Sequence, residues 1–395
     1  MLSFDEARDR VLEAARLLDS EEVLLDDALG RVLREALVAR EPLPPFDTSA
    51  MDGYAVRTAD LGAGAWTLPV VGESRTGHVT GPLAPATAMR IFTGAQLPSG
   101  ADAVVMQEDV ERDGDRAHGS TVPAPGAHVR RAGGDLLAGA QALPAGARLG
   151  PGALALCASV DVARVRVSRQ PRVAIVCTGD ELRPAGSAPR PGSIPESNGV
   201  ALAAFVRQVG GQPRRLPLVG DDREQTTRAI ADALQGSDLL LTVGGVSVGD
   251  HDLVRPALDA AGATLDFYKV RIKPGKPLTF GHAGSTLVFG LPGNPVSALV
   301  TFALFAAPLL RAMQGDSQLL PRVRRLPLLG SVERKPGRRT FMPARTSDDG
   351  VTPLTNQSSG APTSIAWADA LIDVDEDSES LSAGALVRVI DLSSV

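Results

Sequence analysis

The sequence predicts a multidomain protein of α/β plus β class. Its centre is a doubly wound α/β domain, with a β domain inserted upstream and a further β domain at the C-terminal end. Three observations carry that prediction. A length of 395 residues exceeds what one hydrophobic core organises and suggests roughly two to four domains. From Arg172 onward, short apolar runs alternate with capped helical segments, the βαβ period of a sheet with helices on both faces. From Trp66 to about Val129, and again after Met313, β-type runs are separated by Gly, Pro and Asp turns instead.

The elements follow in order. Ser3-Phe4-Asp5-Glu6 has the form of a capping box, and Ala7, Val11, Leu12, Ala15 and Leu18 recur at helical spacing, so an amphipathic helix opens the chain. A strand-like Val23 to Leu25 and a second short helix near Asp27 to Leu33 come next. Arg40-Glu41-Pro42-Leu43-Pro44-Pro45-Phe46 must then be extended, because its prolines forbid helix, and it marks a domain crossing. Strands are expected at Leu68 to Val71, Met89 to Phe92 and Ala103 to Gln107. Leu149 to Val160 is a helix candidate, Val162 to Val167 alternates as a strand, and Gln170-Pro171 marks a boundary. The expected domains are 1–40 with 131–169, 41–130, 170–318 and 319–395, the first being discontinuous around the inserted β domain. In the third, a buried strand Val173 to Cys177 ends in Thr178-Gly179-Asp180-Glu181. Asn198 is expected to cap a helix to about Val209, and Arg214 to Val219 is the next strand. Asp221-Asp222-Arg223-Glu224 has capping-box form before a helix to Leu234. The last domain has strand-like runs at Arg324 to Leu329, Thr340 to Ala344 and Leu386 to Ile390.

Composition excludes several functions. Hydrophobic residues make up 44% and charged residues 22%, as in a soluble globular protein, and no run of about 18 apolar residues offers a membrane span. The opening Met1-Leu2-Ser3-Phe4-Asp5-Glu6 has no basic region followed by an apolar stretch, so a cytoplasmic address is expected. Two cysteines, Cys157 and Cys177, exclude a disulfide framework, and the five histidines show no zinc-ligand spacing. A net charge of −6 argues against general nucleic-acid binding. The histidines are scattered and offer no Ser-His-Asp arrangement, and there is no phosphate-loop lysine signature and no G-x-G-x-x-G, which makes covalent hydrolysis and hydride transfer poor readings.

The chemistry points to Leu239 to Met313. Three glycine- and proline-marked turns lie there: Thr242-Val243-Gly244-Gly245-Val246-Ser247-Val248-Gly249-Asp250, Lys273-Pro274-Gly275-Lys276-Pro277 and Leu291-Pro292-Gly293-Asn294-Pro295-Val296-Ser297. They border the apolar runs Leu239 to Val243, Leu265 to Val270 and Leu287 to Gly290. Loops at the carboxyl ends of strands in an open parallel sheet gather on one edge, where ligands bind. Glycines admit a phosphate close to backbone N–H groups, and helix N-termini favour negative charge. Any one such turn is ordinary punctuation. Three together, with Lys269, Arg271, Lys273 and Lys276 within eight residues, indicate an anionic, phosphorylated ligand. The carboxylates at turns are Asp52, Asp135, Asp180, Glu181, Asp221, Asp250 and Asp252. Mg²⁺ usually takes one or two protein carboxylates along with substrate phosphates, so these are candidate ligands, although helix starts favour Asp anyway and leave Asp221 open to either role.

Ser49-Ala50-Met51-Asp52-Gly53-Tyr54-Ala55, Thr93-Gly94-Ala95, Thr178-Gly179-Asp180-Glu181-Leu182, Ser197-Asn198-Gly199, Gly244-Gly245-Val246-Ser247-Val248-Gly249 and the Lys273 and Leu291 loops resemble, in order, the molybdopterin molybdenumtransferases. These are MoeA-type enzymes, similar to the E domain of gephyrin. The resemblance implies a central domain of molybdopterin-binding type, an elongated four-domain protomer and a homodimer. It also implies a Mg²⁺-dependent reaction in which adenylylated molybdopterin receives molybdate and AMP leaves. Carried onto matching positions, Asp52, Thr93, Asp135, Glu181, Asp221 and Asp252 would be the catalytic polar residues, with Glu181, Asp221 and Asp252 at Mg²⁺. Gly244, Gly245, Ser247, Lys269, Lys273 and Lys276 would bind the anionic substrate, and Pro292 and Pro295 would shape the last loop. Thr48, where the family has Asn, and Ile194-Pro195-Glu196, where it has Tyr-Asp, depart from the pattern. A molybdopterin adenylyltransferase and a non-catalytic pterin carrier or scaffold are the competing readings.

Overall fold

A computed structural model describes residues 1–245 and 253–395 of the chain. The central sheet has six strands, β1 (Arg172–Cys177), β2 (Gln212–Arg215), β3 (Leu239–Val243), β4 (Thr264–Tyr268), β5 (Thr279–Ala283) and β6 (Thr286–Leu291). Across the sheet they lie in the order β2-β1-β3-β6-β5-β4. The first four in that order are mutually parallel. β5 runs against both its neighbours, so the sheet is mixed rather than wholly parallel. Two reversals cancel, and β4 points the same way as β6. The carboxyl ends of β1, β3, β6 and β4 therefore share one edge.

Period-two alternation sorts the strand residues onto two faces. Ile175, Cys177, Leu241, Val243, Phe289 and Leu291 face one core, and Ala174, Val176, Leu240 and Val288 face the other. The helices α1 (Phe4–Glu13), α2 (Pro151–Ser159), α3 (Asn198–Gln208), α4 (Arg223–Leu234), α5 (Val254–Ala260) and α6 (Pro295–Gln314) follow in chain order. The first core is closed by α3 and α6, and the second by α4 and α5. Buried aromatics concentrate in the first, where Phe280, Phe289, Phe302 and Phe305 are fully covered. Each contributes roughly 1.5–3 kcal/mol through its burial. Within α6, Phe302–Ala306 widens to a π-turn just before Pro308, whose ring would otherwise clash with the preceding turn.

α1 carries the expected capping box, with Ser3 Oγ accepting from Glu6 N and Ser3 N donating to Glu6 Oε2 at 2.8 Å. Its Phe4 packs between Phe305 and Phe341, at ring separations of 5.3 and 5.0 Å, and so joins the central unit to the C-terminal one. Ser20–Leu24 pairs with Arg164–Ser168, and Leu37–Val38 with Gln141–Leu143. The short helix expected near Asp27 to Leu33 is instead a single 3₁₀ turn, Leu25–Asp27. Gly30 then takes positive φ, and Val32 and Leu33 bridge to Arg148 and Val167. Between these pairings lies a second six-stranded sheet drawn from Gly53 to Gly119. The strand expected over Arg214 to Val219 runs instead from Gln212 to Arg215, at the edge of the sheet.

The C-terminal sheet includes a piece of the central unit. Ile272–Lys273 pairs in parallel with Arg339–Ser347, with Lys273 opposite Thr340. α6 is long and apolar enough to span a membrane by length and composition, a helix the reading of apolar runs passed over, but 89% of its apolar window is buried inside the protein. It is a core helix.

Candidate functional site

Strand order turns around β1, with β2 on one side and β3 on the other. The crevice beyond the carboxyl ends of β1 and β3 is therefore a topological switch point. The loops there interlock: Thr178 N donates to Val243 O at 3.0 Å, Gly179 N to Val219 O at 3.0 Å, and Gly244 N to Leu291 O at 3.3 Å. Gly244 and Gly245 both have positive φ, and a Cβ on Gly244 would lie 2.8 Å from Thr178 O. Only glycine lets these loops close together.

They bound a cleft of about 790 Å³ whose lining includes Glu181, Asp221, Gly244, Gly245, Pro292 and Pro295. The two acidic loops clasp each other, with Asp180 Oδ1 accepting from Asp221 N at 2.9 Å and Asp221 Oδ2 from Asp180 N at 3.4 Å. Arg190 pins the first loop, its Nη2 donating to the carbonyls of Asp180 (2.7 Å) and Leu182 (3.0 Å), which flank Glu181. The helix cap is Asp222, which accepts from Gln225 N at 2.7 Å, and not Asp221. Asp221 is thereby released from capping and lines the cleft.

Asn198 does not cap α3 either. Its Nδ2 donates to Gly293 O at 2.7 Å and ties the third loop to the helix. Under this floor Glu196, where the sequence departs from the family pattern, is 3% exposed and pairs with Arg215 at 2.9 Å. Burial, with Glu196 beside it, pushes the Cys177 thiol up to about 12. Both cysteines are free and buried.

A second pocket of about 310 Å³ adjoins the first and shares Pro277 and Asn294 with it. Lys273, Lys276, Arg338 and Ser359 line it. Gly275, at φ +101, lets this loop press onto α6, where a Cβ would meet Thr301 Cγ2 at 2.4 Å. Arg339 turns inward to hold Asp373 with two bonds of 2.8 Å, while its neighbour Arg338 lines the pocket. Asn294 Nδ2 donates to Ser359 Oγ at 3.1 Å and locks the two units together there.

Other expected residues lie elsewhere. Lys269 sits over the Tyr268 ring at 4.7 Å and lines neither pocket, and Arg271 turns to Glu376 at 3.7 Å. Asp135 is exposed, its backbone N–H bonded to Leu43 O. Asp52 and Thr93 belong to the inserted sheet, where the Asp52 carboxylate accepts from Thr93 N at 2.7 Å and Thr93 Oγ1 at 2.8 Å. These bonds, the backbone one first, hold the Asp52 carboxyl below its ordinary range. Ser247 and Asp252 lie outside the described residues. Sequence reasoning gave no role to Arg338, Ser359, Asn294 or Arg190. Asn294 sits inside the Leu291 loop, but its partner Ser359, and likewise Arg338 and Arg190, reach the site only through pairing across some 65 residues (Asn294 to Ser359) or a loop crossing.

A central α/β sheet with its cleft at the switch point, flanked by β units on both sides of the chain, defines a multidomain α/β plus β protein with a cationic pocket beside that cleft. Three family models match it in succession: the MoeA N-terminal region (domains I and II) over residues 2–160, a probable molybdopterin binding domain over 174–312, and the MoeA C-terminal region (domain IV) over 325–392. The molybdopterin molybdenumtransferase of Haemophilus influenzae is 39% identical over 322 residues, 80% of this chain and 79% of that one. Molybdopterin molybdenumtransferase 2 of Mycobacterium tuberculosis is 36% identical over the whole of both chains. The solved molybdopterin biosynthesis MoeA protein of Pyrococcus horikoshii OT3 superposes with a TM-score of 0.87 at 29% identity, covering 99% of this chain and 100% of that one. The chain belongs to the molybdopterin molybdenumtransferases, transferases of molybdenum cofactor biosynthesis.

Proposed function

We propose that this enzyme inserts molybdate into adenylylated molybdopterin with release of AMP, requires Mg²⁺, and works as a homodimer. One observation supports the reading above the others: a large cleft bearing two carboxylates opens onto a small cationic pocket through the shared walls Pro277 and Asn294. A phosphorylated pterin long enough to occupy the cleft brings one end to the cations.

Lys273, Lys276 and Arg338 hold the molybdate oxyanion, with charge-assisted hydrogen bonds that neutral donors would not match. Glu181 and Asp221, with Asp252, are the residues for Mg²⁺. The donor set fits, since Mg²⁺ takes one or two carboxylates and completes its shell with phosphate oxygens and water. Among the described residues no cluster of three Asp, Glu, His or Cys side chains forms a closed cage. When bound, Mg²⁺ offsets phosphate charge and polarises the phosphorus–oxygen bond. Asp180 and Arg190 fix the backbone that presents Glu181 and Asp221, so these carboxylates need little reordering as the anhydride breaks. Lys273 and Lys276 stabilise the charge that develops on the departing phosphate. Asp52 and Thr93 line neither pocket of their own chain, and in the homodimer they face the partner's cleft.

AMP release from adenylylated molybdopterin, followed with and without molybdate and Mg²⁺, tests this. Release should require both ions and fall at least about 100-fold in Lys273→Ala/Lys276→Ala, the scale of losing a preorganised electrostatic contact. Tight substrate binding with no release under any condition would identify a carrier instead.

A further inference from the structure

A second cleft, of about 620 Å³, opens at the opposite end of α6. With a rise of 1.5 Å per residue, the helix sets it roughly 30 Å from the switch-point loops. Its walls come from three parts of the chain: Arg148 from the N-terminal unit, Arg311 and Asp316 at the end of α6, and Arg322 with Ser394 from the C-terminal unit.

The charges there do not cancel. Arg148 is ion-paired, its guanidinium meeting Asp316 at 2.9 Å and Gly30 O at 2.6 Å, while its buried Nη2 makes no hydrogen bond. Asp391 is occupied by Ser393, whose N–H and hydroxyl donate to it at 2.9 and 2.7 Å. Arg311 has two carbonyl partners, Ser394 O at 2.5 Å and Gln318 O at 3.4 Å, and its Nε is buried with no partner. Arg322 bonds only through its backbone among the described residues, its N–H donating to Ser394 Oγ at 2.9 Å and its carbonyl accepting from Asp391 N at 3.0 Å. Among the described residues neither Arg311 nor Arg322 has a carboxylate within ion-pair distance. Burial first, and then the neighbouring Arg148, lower the basicity of Arg311. A cation at a helix C-terminus complements the helix dipole, which accounts for Arg311 alone and not for the convergence of three guanidiniums from three parts of the chain.

We propose that this cleft is a separate binding site for a phosphate group, gripped by Arg311 and Arg322 with Arg148 behind them. A guanidinium presents its donors in a planar fork suited to phosphate oxygens, and Arg311 has a buried N–H awaiting an acceptor. The cleft is larger than a bare phosphate, so the group could arrive free or on a nucleotide.

The test is calorimetric titration of inorganic phosphate, AMP and adenosine into the full chain carrying Lys273→Ala/Lys276→Ala, which removes capture at the switch-point pocket. Phosphate and AMP should bind and adenosine should not. Adding Arg322→Ser or Arg311→Gln should weaken binding at least about tenfold, as expected when a charge-assisted contact is lost. AMP binding about tenfold tighter than phosphate assigns the site to a nucleotide, and equal binding assigns it to the free ion. Either supports the proposal. Binding of neither by the lysine variant, or affinities unchanged by Arg322→Ser, would overturn it. Circular dichroism checks that Arg311→Gln folds, and the exposed Arg322 decides the matter if it does not. Because the lysine pair is already absent, failure here leaves the molybdate reading untouched, and the reverse holds too.

Discussion

The carboxylates of the inserted sheet and of the switch-point cleft are held in opposite ways. Asp52 is fixed before any ligand arrives, by an N–H and a hydroxyl from Thr93. Glu181 has no side-chain hydrogen bond among the described residues, and Asp221 has one long one. In that second setting it is the backbone that is held, by Arg190 and by the Asp180–Asp221 clasp, while the carboxylates face the cleft. A prepositioned anion suits orienting a substrate, whereas unpartnered anions suit taking up a cation that comes and goes.

The largest effect should come from separating the two settings between subunits. Asp52→Ala and Lys276→Ala, each inactive alone, should regain about one quarter of wild-type AMP release when co-refolded, because a two-fold dimer made from both leaves one intact site in half of the molecules. No recovery would place Asp52 with its own chain's cleft and remove the contrast in location. A smaller effect separates neighbouring aspartates. Asp221→Asn should cost about tenfold in AMP release, about 1.4 kcal/mol, without lowering the melting temperature. Asp222→Ala should cost about 1 kcal/mol of stability through the lost helix cap and leave release near wild type. Equal behaviour of the pair in both assays would contradict the assignment.

The pH response sharpens the contrast further. The folded pKa of Asp52 is depressed, so its tie to Thr93 stabilises the fold above the unfolded value of about 3.9 and is lost as pH falls through the folded value. Asp52→Asn should melt below wild type at pH 7, and the gap should close under acid. A gap independent of pH would mean the tie is not ionic. The smallest expected effect is at Cys177. With its thiol pushed up to about 12 and buried, iodoacetamide at pH 8 should label it only after denaturation, as read by mass spectrometry.

Much of this was legible in the sequence, for local reasons. The α1 capping box, the strands ending at Cys177 and Val243, and the glycines at 244 and 245 announce themselves within a few residues. So do the Lys273 loop and the acidic turns. What escaped depends on pairing across distance. Arg338 reaches the cationic pocket because the strand at Arg339 pairs with Ile272–Lys273, and no property of Arg338 distinguishes it from other exposed arginines. The choice between Asp221 and Asp222 as cap turns on the helix starting at Arg223, a one-residue register that two adjacent aspartates do not encode. A short helix is expected near Asp27 to Leu33, but bridges to residues more than 100 positions away claim Val32 and Leu33.

The pairing of Ser20–Leu24 with Arg164–Ser168 also sets an order of events at the ribosome. At 5–20 residues per second, the partner strand emerges roughly 7–30 s after the first. In that interval the sheet between Gly53 and Gly119 is complete in sequence and can form, after which Thr48–Ser49 and Val129–Arg130 zip together at its base. The inserted unit thus acts as a clamp during synthesis, holding the two ends of the discontinuous unit close and turning a long-range search into a short one.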